Sequence, residues 1–299
     1  MPQLQRLAVN ADQMCDRTIN LTPEQQHYLC RVLRLNQGDK FIAMDGRGHW
    51  WSAILEAQET GLFARVTEEI AVNRELPVAV TLMAALPKGN AFDEVVRQAT
   101  ELGVARIVPM TSDRTLLKPS GQKVDRWRRI AAEAAEQSER QIVPAVLEPV
   151  SFDLAVKDCS QKHRFICLAR GDNRHLWDCL SHLEPPQPPL LRGEQELDDP
   201  PHLPLLRGEQ EPDDPPQPPL RRGEQEPEEE PQELSIAIAV GPEGGWTDGE
   251  VQRAIEFSFE PVSLGSRILR AVTAPMVALS LVGATFEKWQ SSTNISPNS

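Results

Sequence analysis

Near the C-terminus five apolar residues in a row, Ile236-Ala237-Ile238-Ala239-Val240, run directly into Gly241-Pro242-Glu243-Gly244-Gly245. A run so short and so apolar has no polar face to turn to water. It reads as a buried strand feeding a glycine-rich turn, one strand of an α/β layer with a mostly parallel sheet. Thr247 stands three residues before Glu250, the capping-box spacing, so a helix should start with its free N–H groups beside the glycine turn. A second short strand, Val262-Ser263-Leu264, breaks at Gly265, and Thr273 opens an amphipathic helix with Val272, Met276, Leu279, Val282, Phe286 and Trp289 along one side. Two glycine-bearing loops should therefore leave neighbouring strands on one edge. There, Gly244 and Gly245 would let a flat ligand lie against bare backbone, whose N–H and C=O groups read an adenine edge or a ribose directly. Two tight turns are the plainer alternative.

Upstream, Leu76-Pro77 marks a hinge, followed by a strand over 78–86 and the turn Pro87-Lys88-Gly89-Asn90. Asn90 is placed to cap a helix from Ala91 to Leu102, with Phe92, Val95, Val96, Ala99 and Leu102 on its buried face and Gly103 as its stop. A strand from Arg106 to Met110 completes a β-α-β unit, which implies parallel strands. A long helix follows over about 124–138, with Trp127, Ile130, Ala131, Ala134 and Ala135 inward. Gln137, Ser138 and Arg140 fall at its end, where polar groups are free to meet a substrate. The unbroken apolar run within Arg164 to Arg170 predicts a central strand.

Residues 1–76 read as a small β-rich domain. Asn20-Leu21-Thr22 should start a short helix with Pro23 in its first turn, and the alternating stretches FIAMDG, HWWSAIL and LFARVTEEI predict strands. Of the pair Trp50-Trp51, one ring should lie in the core and one outside, where it and His49 would be able to stack on an unpaired base.

The net charge of −13 has the wrong sign for a nucleic-acid binder, but ten of those charges are local: residues 185–233 carry fourteen Asp/Glu against four Arg. The same stretch holds fourteen of the 26 prolines and repeats RGEQ at Arg192, Arg207 and Arg222. Without apolar periodicity it cannot build a core, and it reads as a disordered insertion between two core strands. The five cysteines are odd in number and contain no CxxC, so neither a disulfide framework nor a zinc knuckle is expected and a cytoplasmic setting fits. The histidines lack ligand spacing, so no metal is expected. The N-terminus lacks a signal-like apolar core and no run is long enough for a membrane span.

GPEGG followed by LGSRILR, together with LPKGNAFDEVVRQATELGVARIVPM, EAAEQSERQIVP and the N-terminal HYLCRVLRLNQGD with its DGRG turn, resembles the RsmE-type 16S rRNA (uracil-N3)-methyltransferases of the SPOUT superfamily. The resemblance implies an α/β fold: a SPOUT-type α/β knot methyltransferase domain over 77–290, interrupted by the 185–233 insertion, behind a small PUA-like β-barrel domain over 1–76, with 291–299 as a tail. The threaded part of the knot would be about Val262 to Trp289. It implies S-adenosyl-L-methionine as cofactor, held by Leu168, Gly241, Pro242, Glu243, Gly244, Gly245, Leu264, Gly265, Ile268 and Leu269. It implies 16S rRNA, free or in the assembled small ribosomal subunit, as partner, contacted by Arg31, Arg34, Lys40, Arg47, Lys88 and Gln137, and it implies a homodimer. Arg267 or Arg270 would stabilise charge on the uracil, and Arg114 or Arg140 would be supplied across the dimer interface. Where the family commonly has Thr-Glu-Thr-Ala after LGSRILR, Ala271-Val272-Thr273-Ala274 stands here, so any role tied to that glutamate is absent or supplied elsewhere. A SPOUT methyltransferase acting on tRNA would share the knot and cofactor but not HYLCRVLRLNQGD or EQSER. A non-catalytic RNA-binding protein would need neither glycine loop.

Overall fold

The computed structural model describes residues 4–58, 61–71, 74–115, 121–183 and 234–293; the 185–233 insertion and the 294–299 part of the tail lie outside them. The first sheet is built from β1 (Arg6–Ala8), β2 (Met14–Cys15), β3 (Thr18–Asn20), β4 (Lys40–Met44), β5 (Trp50–Gln58) and β6 (Gly61–Ile70), hydrogen-bonded in the order β1-β4-β5-β6-β3-β2. Between β3 and β4 lies α1 (Pro23–His27), which runs on into a π-helical turn over Tyr28–Val32. Its start is legible in the sequence, since Thr22 and Gln25 form a reciprocal capping box with Pro23 behind them. The seam between the two ends of the sheet is bridged by side-chain amides: Gln25 Nε2 donates to Ala8 O at 2.9 Å and Gln13 Nε2 to Asn20 O at 2.7 Å. The tryptophan pair divides as alternation requires, with Trp50 2% exposed and Trp51 half-buried.

The second sheet is parallel in every pairing. Its elements are β7 (Ala79–Ala85), α2 (Ala91–Glu101), β8 (Arg106–Thr111), α3 (Gly121–Gln137), β9 (Ala145–Val146), β10 (Val150–Ser151), α4 (Phe152–Lys157), β11 (His163–Leu168), α5 (Leu176–Ser181), β12 (Ser235–Val240), α6 (Asp248–Glu256), β13 (Glu260–Ser263) and α7 (Thr273–Thr293). The strand order is β10-β8-β7-β12-β11-β13, with β9 also on β8. The apolar run of β12 therefore lies between β7 and β11, and its alternate residues enter two different cores. Ile236, Ile238 and Val240 pack with α2, α3, α5 and α7, while Ala237 and Ala239 pack on the side of α4 and α6. β11 is an interior strand, paired with β12 on one side and β13 on the other.

Two local expectations change. Asn90 makes no capping hydrogen bond. The start of α2 instead carries Asp93 and Glu94 in its first turn, where negative charge suits the helix dipole, and Asp93 accepts from Trp127 Nε1 at 3.0 Å and Arg126 Nε at 2.9 Å, pinning α3 to α2. The start of α3 is three residues earlier than the apolar spacing indicates, because Gly121-Gln122-Lys123 carry no apolar signal of their own.

Candidate active site at the carboxyl edge of the parallel sheet

In a parallel sheet every strand ends on the same edge, so the loops after β7, β8, β11, β12 and β13 converge there, the usual place for a ligand in such folds. Leu168 pairs with Ser263 at the ends of β11 and β13, and Ala239, one residue before the end of β12, lies beside Ile166. The structure thus brings the Leu168, Gly241–Gly245 and Leu264–Gly265 candidates to three adjacent strand ends.

The turn after β12 is fixed on all sides. Gly245 N donates to Pro242 O at 2.9 Å, and Trp246 Nε1 donates to Cys167 O at 3.2 Å. A Cβ on Gly241 would come within 3.1 Å of the Trp246 ring, so only glycine lets the indole lie under the turn. Gly245 has φ +69° and Gly265 φ +112°, and a Cβ on either would meet nothing within 4 Å. Both glycines thus face open space with backbone an L side chain seldom adopts. Gly244 differs. Its Cβ would lie 3.2 Å from Arg114 Cδ, and Arg114 donates from its guanidinium to Gly244 O. The missing side chain at 244 makes room for an arginine of the same chain.

Three loops are tied together by two carboxylates. Glu243 accepts from Lys88 N at 3.1 Å, joining the loop after β7 to the glycine turn. Glu250, fully buried, accepts from Thr247 N at 2.8 Å as the capping box requires, and also from Asp113 N at 2.9 Å in the loop after β8. Thr247 Oγ1 lies 3.1 Å from Asp113 Oδ2, and Arg253 reaches the same carboxylate at 3.7 Å. The capping spacing in the sequence shows Thr247 with Glu250. Nothing local shows that Asp113, 137 residues away from Glu250, completes the set.

The loop between β13 and α7 exposes Arg267, Ile268 and Arg270, with Leu264 and Leu269 half-buried. Ile268 is 67% exposed, an unusually bare aliphatic chain three residues after Gly265. Ala271 and Val272 are half-buried, and Thr273 N donates to Arg270 O at 2.9 Å as α7 begins. No carboxylate stands there.

Arg140 does not belong to this site. It is 4% exposed, and its guanidinium donates to Thr100 O at 3.0 Å, Val104 O at 2.7 Å and Glu75 Oε2 at 3.2 Å. A polar residue at a helix end was expected to be free for substrate; here three chain segments leave carbonyls and a carboxylate that only a buried guanidinium can satisfy together. Ser138 likewise bonds its own helix, Oγ to Ala134 O at 2.7 Å. Gln137, exposed, ends α3 near the first sheet, where Tyr28 Oη reaches Glu136 at 3.4 Å.

Lys88 is exposed beside Glu243, whereas Arg31, Arg34, Lys40 and Arg47 are exposed on the first sheet and its helical turn. The loop carrying Arg47 is clamped. Asp45 accepts from Arg47 N at 2.8 Å and His49 N at 3.1 Å, Val143 N donates to Gly46 O, and Gln141 Nε2 donates to Gly48 O. His49 stacks on Trp51 with centroids 5.8 Å apart, and its hydrogen bond to Asp45 raises the imidazole's pKa. Lys123 Nζ, near the start of α3, is 3.4 Å from Gly89 O in the loop after β7, whereas Glu136 near its end meets Tyr28 beside the first sheet. A cavity of about 320 Å3 opens between α4 and the amino-terminal halves of β7 and β8, lined by Thr81, Met83, Arg106, Leu154 and Cys159, away from the glycine loops.

Burial pushes the Cys167 thiol up to about 12 and Cys179 up to about 11, so neither offers a thiolate nucleophile near neutral pH. Among the described residues no cluster of three or more His, Cys, Asp or Glu is arranged to hold a metal, and no helix is long and apolar enough to cross a membrane.

A parallel sheet with a latched glycine turn at its carboxyl edge, behind a six-stranded N-terminal sheet, defines a two-part class, and comparison with known families gives both parts. Residues 74–189 and 218–283 match the RNA methyltransferase domain, and residues 21–67 match the RNA methyltransferase PUA domain. The ribosomal RNA small subunit methyltransferase E of Synechocystis is 40% identical over 94% of this chain and 78% of its own length, and that of Bacillus subtilis 29% identical over 89% of each. A methyltransferase of Legionella pneumophila, solved with S-adenosylmethionine bound, superposes with a TM-score of 0.70 at 25% identity, over 94% of this chain and 98% of that one. The chain belongs to the ribosomal RNA small subunit methyltransferase E family.

Proposed function

We propose that the protein transfers a methyl group from S-adenosylmethionine to N3 of a uridine in 16S rRNA of the small ribosomal subunit. The observation that carries the reading is the placement of Gly245 and Gly265, open and at positive φ, on the two strand ends that flank the end of β11, rather than on adjoining strands as the sequence alone suggested, in a chain of this family. The residues present fit the cofactor. Bare backbone at the two glycines suits an adenosine edge, and the uncovered Ile268 with Leu264 and Leu269 suits its apolar ring face. The bound cofactor would supply an electrophilic methyl group.

The chain's own part is orientation and charge. Uracil N3 lies on the Watson–Crick edge, so the base must be unpaired or splayed out before N3 can be approached in line. Loss of the N3 proton leaves negative charge shared with O2 and O4, which a fixed cation stabilises. Arg114, held on Gly244 O, and the exposed Arg267 and Arg270 stand around the turn for that role.

The phosphate-binding set would be Arg31, Arg34, Lys40, Arg47 and Gln137, with Lys88 at the site itself. All but Lys88 lie toward the far end of α3, whose 17 residues span roughly 25 Å. A homodimer would bring one subunit's first sheet toward its partner's glycine turn, with α7 at the seam and Val262 to Trp289 threaded as the knot. The setting would be cytoplasmic, where rRNA is processed. Nucleoside analysis of 16S rRNA from a strain lacking the gene should show the N3-methyluridine gone, and its persistence at normal level would refute the proposal.

A further inference from the structure

The buried carboxylate of Glu250 satisfies more donors than a helix cap needs. A capping-box glutamate requires only the N-cap N–H. Here the same side chain also holds Asp113 N at 2.9 Å, and the next residue along, Arg114, lies across the glycine turn with its guanidinium on Gly244 O. Full burial of a carboxylate is expensive unless every oxygen is paired, so this group belongs to a bonded set rather than to a solvated helix face. Asp113 closes the set from its other side, through Thr247 Oγ1 at 3.1 Å and Arg253 at 3.7 Å.

We propose that Glu250 is a positioning residue for methyl transfer: it anchors the loop after β8 so that Arg114 is held over the glycine turn in the orientation the uracil requires. This rests on the reading of the glycine turn as the methyl-donor site. Glu250 touches no substrate in this scheme; it acts through the Asp113 backbone on Arg114. The arrangement explains why Gly244 is glycine although its φ is not the left-handed kind, since a Cβ there would press on Arg114 Cδ at 3.2 Å. It also makes a chemical prediction about glutamine. Glu250 Oε1 accepts from Asp113 N and Oε2 from Thr247 N, so both oxygens face donors. A glutamine has one acceptor oxygen and an NH2, so it satisfies the Thr247 side or the Asp113 side but not both.

The test is a double-mutant cycle on the full chain, with methyl transfer to small subunits as the assay and calorimetric titration of S-adenosylmethionine alongside. Glu250→Gln and Arg114→Ala should each lower kcat at least tenfold while changing cofactor affinity less than threefold. The double variant should be no slower than the slower single within about twofold, because the two residues act as a unit. A purely structural Glu250 would instead give multiplied losses, or a loss of cofactor affinity in step with a lower melting temperature. Either result, or an unchanged kcat in Glu250→Gln, overturns the inference. If Glu250→Gln does not fold, Glu250→Asp takes its place in the cycle, since it keeps a carboxylate but is one methylene too short to span Thr247 N and Asp113 N together; the same non-additivity with Arg114→Ala is expected. A wild-type protein that neither binds S-adenosylmethionine nor methylates small subunits would overturn the functional reading, and the inference with it; a failed cycle on an active wild type would overturn the inference alone.

Discussion

At the scale of single residues, the two adjacent glycines of the turn have different work. Gly245 at φ +69° faces open space, so Gly245→Val should cost about 1–3 kcal/mol in backbone strain and fill the volume beside the turn, lowering S-adenosylmethionine affinity tenfold or more. Gly244→Val, by contrast, meets Arg114, and should lower kcat more than it lowers cofactor affinity. Titrations and turnover on the two variants separate these outcomes; equal effects on affinity would mean that the ligand covers both positions. His49 offers a pH test on the first sheet. Its hydrogen bond to Asp45 raises the imidazole's pKa; burial pulls the Asp45 carboxyl up, but bonds from Arg47 N and His49 outweigh that and hold it low. The charged pair is therefore complete between the two pKa values, and is lost as pH rises through that of His49 or falls through that of Asp45. An NMR titration should place His49 above the ordinary imidazole value of about 6.5, and Asp45→Asn should bring it back down.

At the scale of elements, Arg140 shows how a helix end is tied to a sheet. It bridges the segment after α3, carbonyls in the last turn of α2 and just beyond it, and Glu75 ahead of β7. Arg140→Ala would leave two carbonyls and a carboxylate without their donor in a buried place, a change worth about 3–5 kcal/mol. Urea unfolding should show that loss in full. Methyl transfer by the surviving folded fraction should keep its KM, which it would not if Arg140 met the RNA. The helix starts behave differently, because their determinants are local: the capping boxes at Thr22/Gln25 and Thr247/Glu250 form where their spacing indicates, whereas Asn90, a capping residue type without a glutamate or glutamine three places on, makes no cap bond.

At the scale of the whole molecule, the chain parts from the family model in one internal stretch. The match to the RNA methyltransferase domain skips 190–217, within a stretch rich in proline and acid that divides β11 and α5 from β12. Replacing 185–233 with a short Gly/Ser linker should leave the unfolding midpoint and cofactor affinity nearly unchanged, because shortening such a loop alters closure entropy by only about 1 kcal/mol. The loss of ten negative charges should strengthen RNA association at low salt and matter less at high salt. A drop in the melting temperature on replacement would show that the segment packs on the body.

The sequence by itself determined the main strands and helices of the parallel sheet and the buried faces of α2, α3 and α7, because apolar spacing is local, but not the short β9, β10, α4 and α5, which carry too few residues to show a period. It also determined the glycine loops and the three longer N-terminal strands β4, β5 and β6, since turn and cap chemistry act over three or four residues. Only the tertiary structure decided that β12 lies between β7 and β11, that Arg140 is buried while Arg114 is at the turn, and that Glu250 reaches Asp113 across 137 residues. The physical reason is that an arginine or glutamate carries the same local signal whether it meets water, a substrate or a buried carbonyl. What fixes its role is which unpaired backbone groups the packing of distant segments leaves within reach, and no spacing along the chain records that.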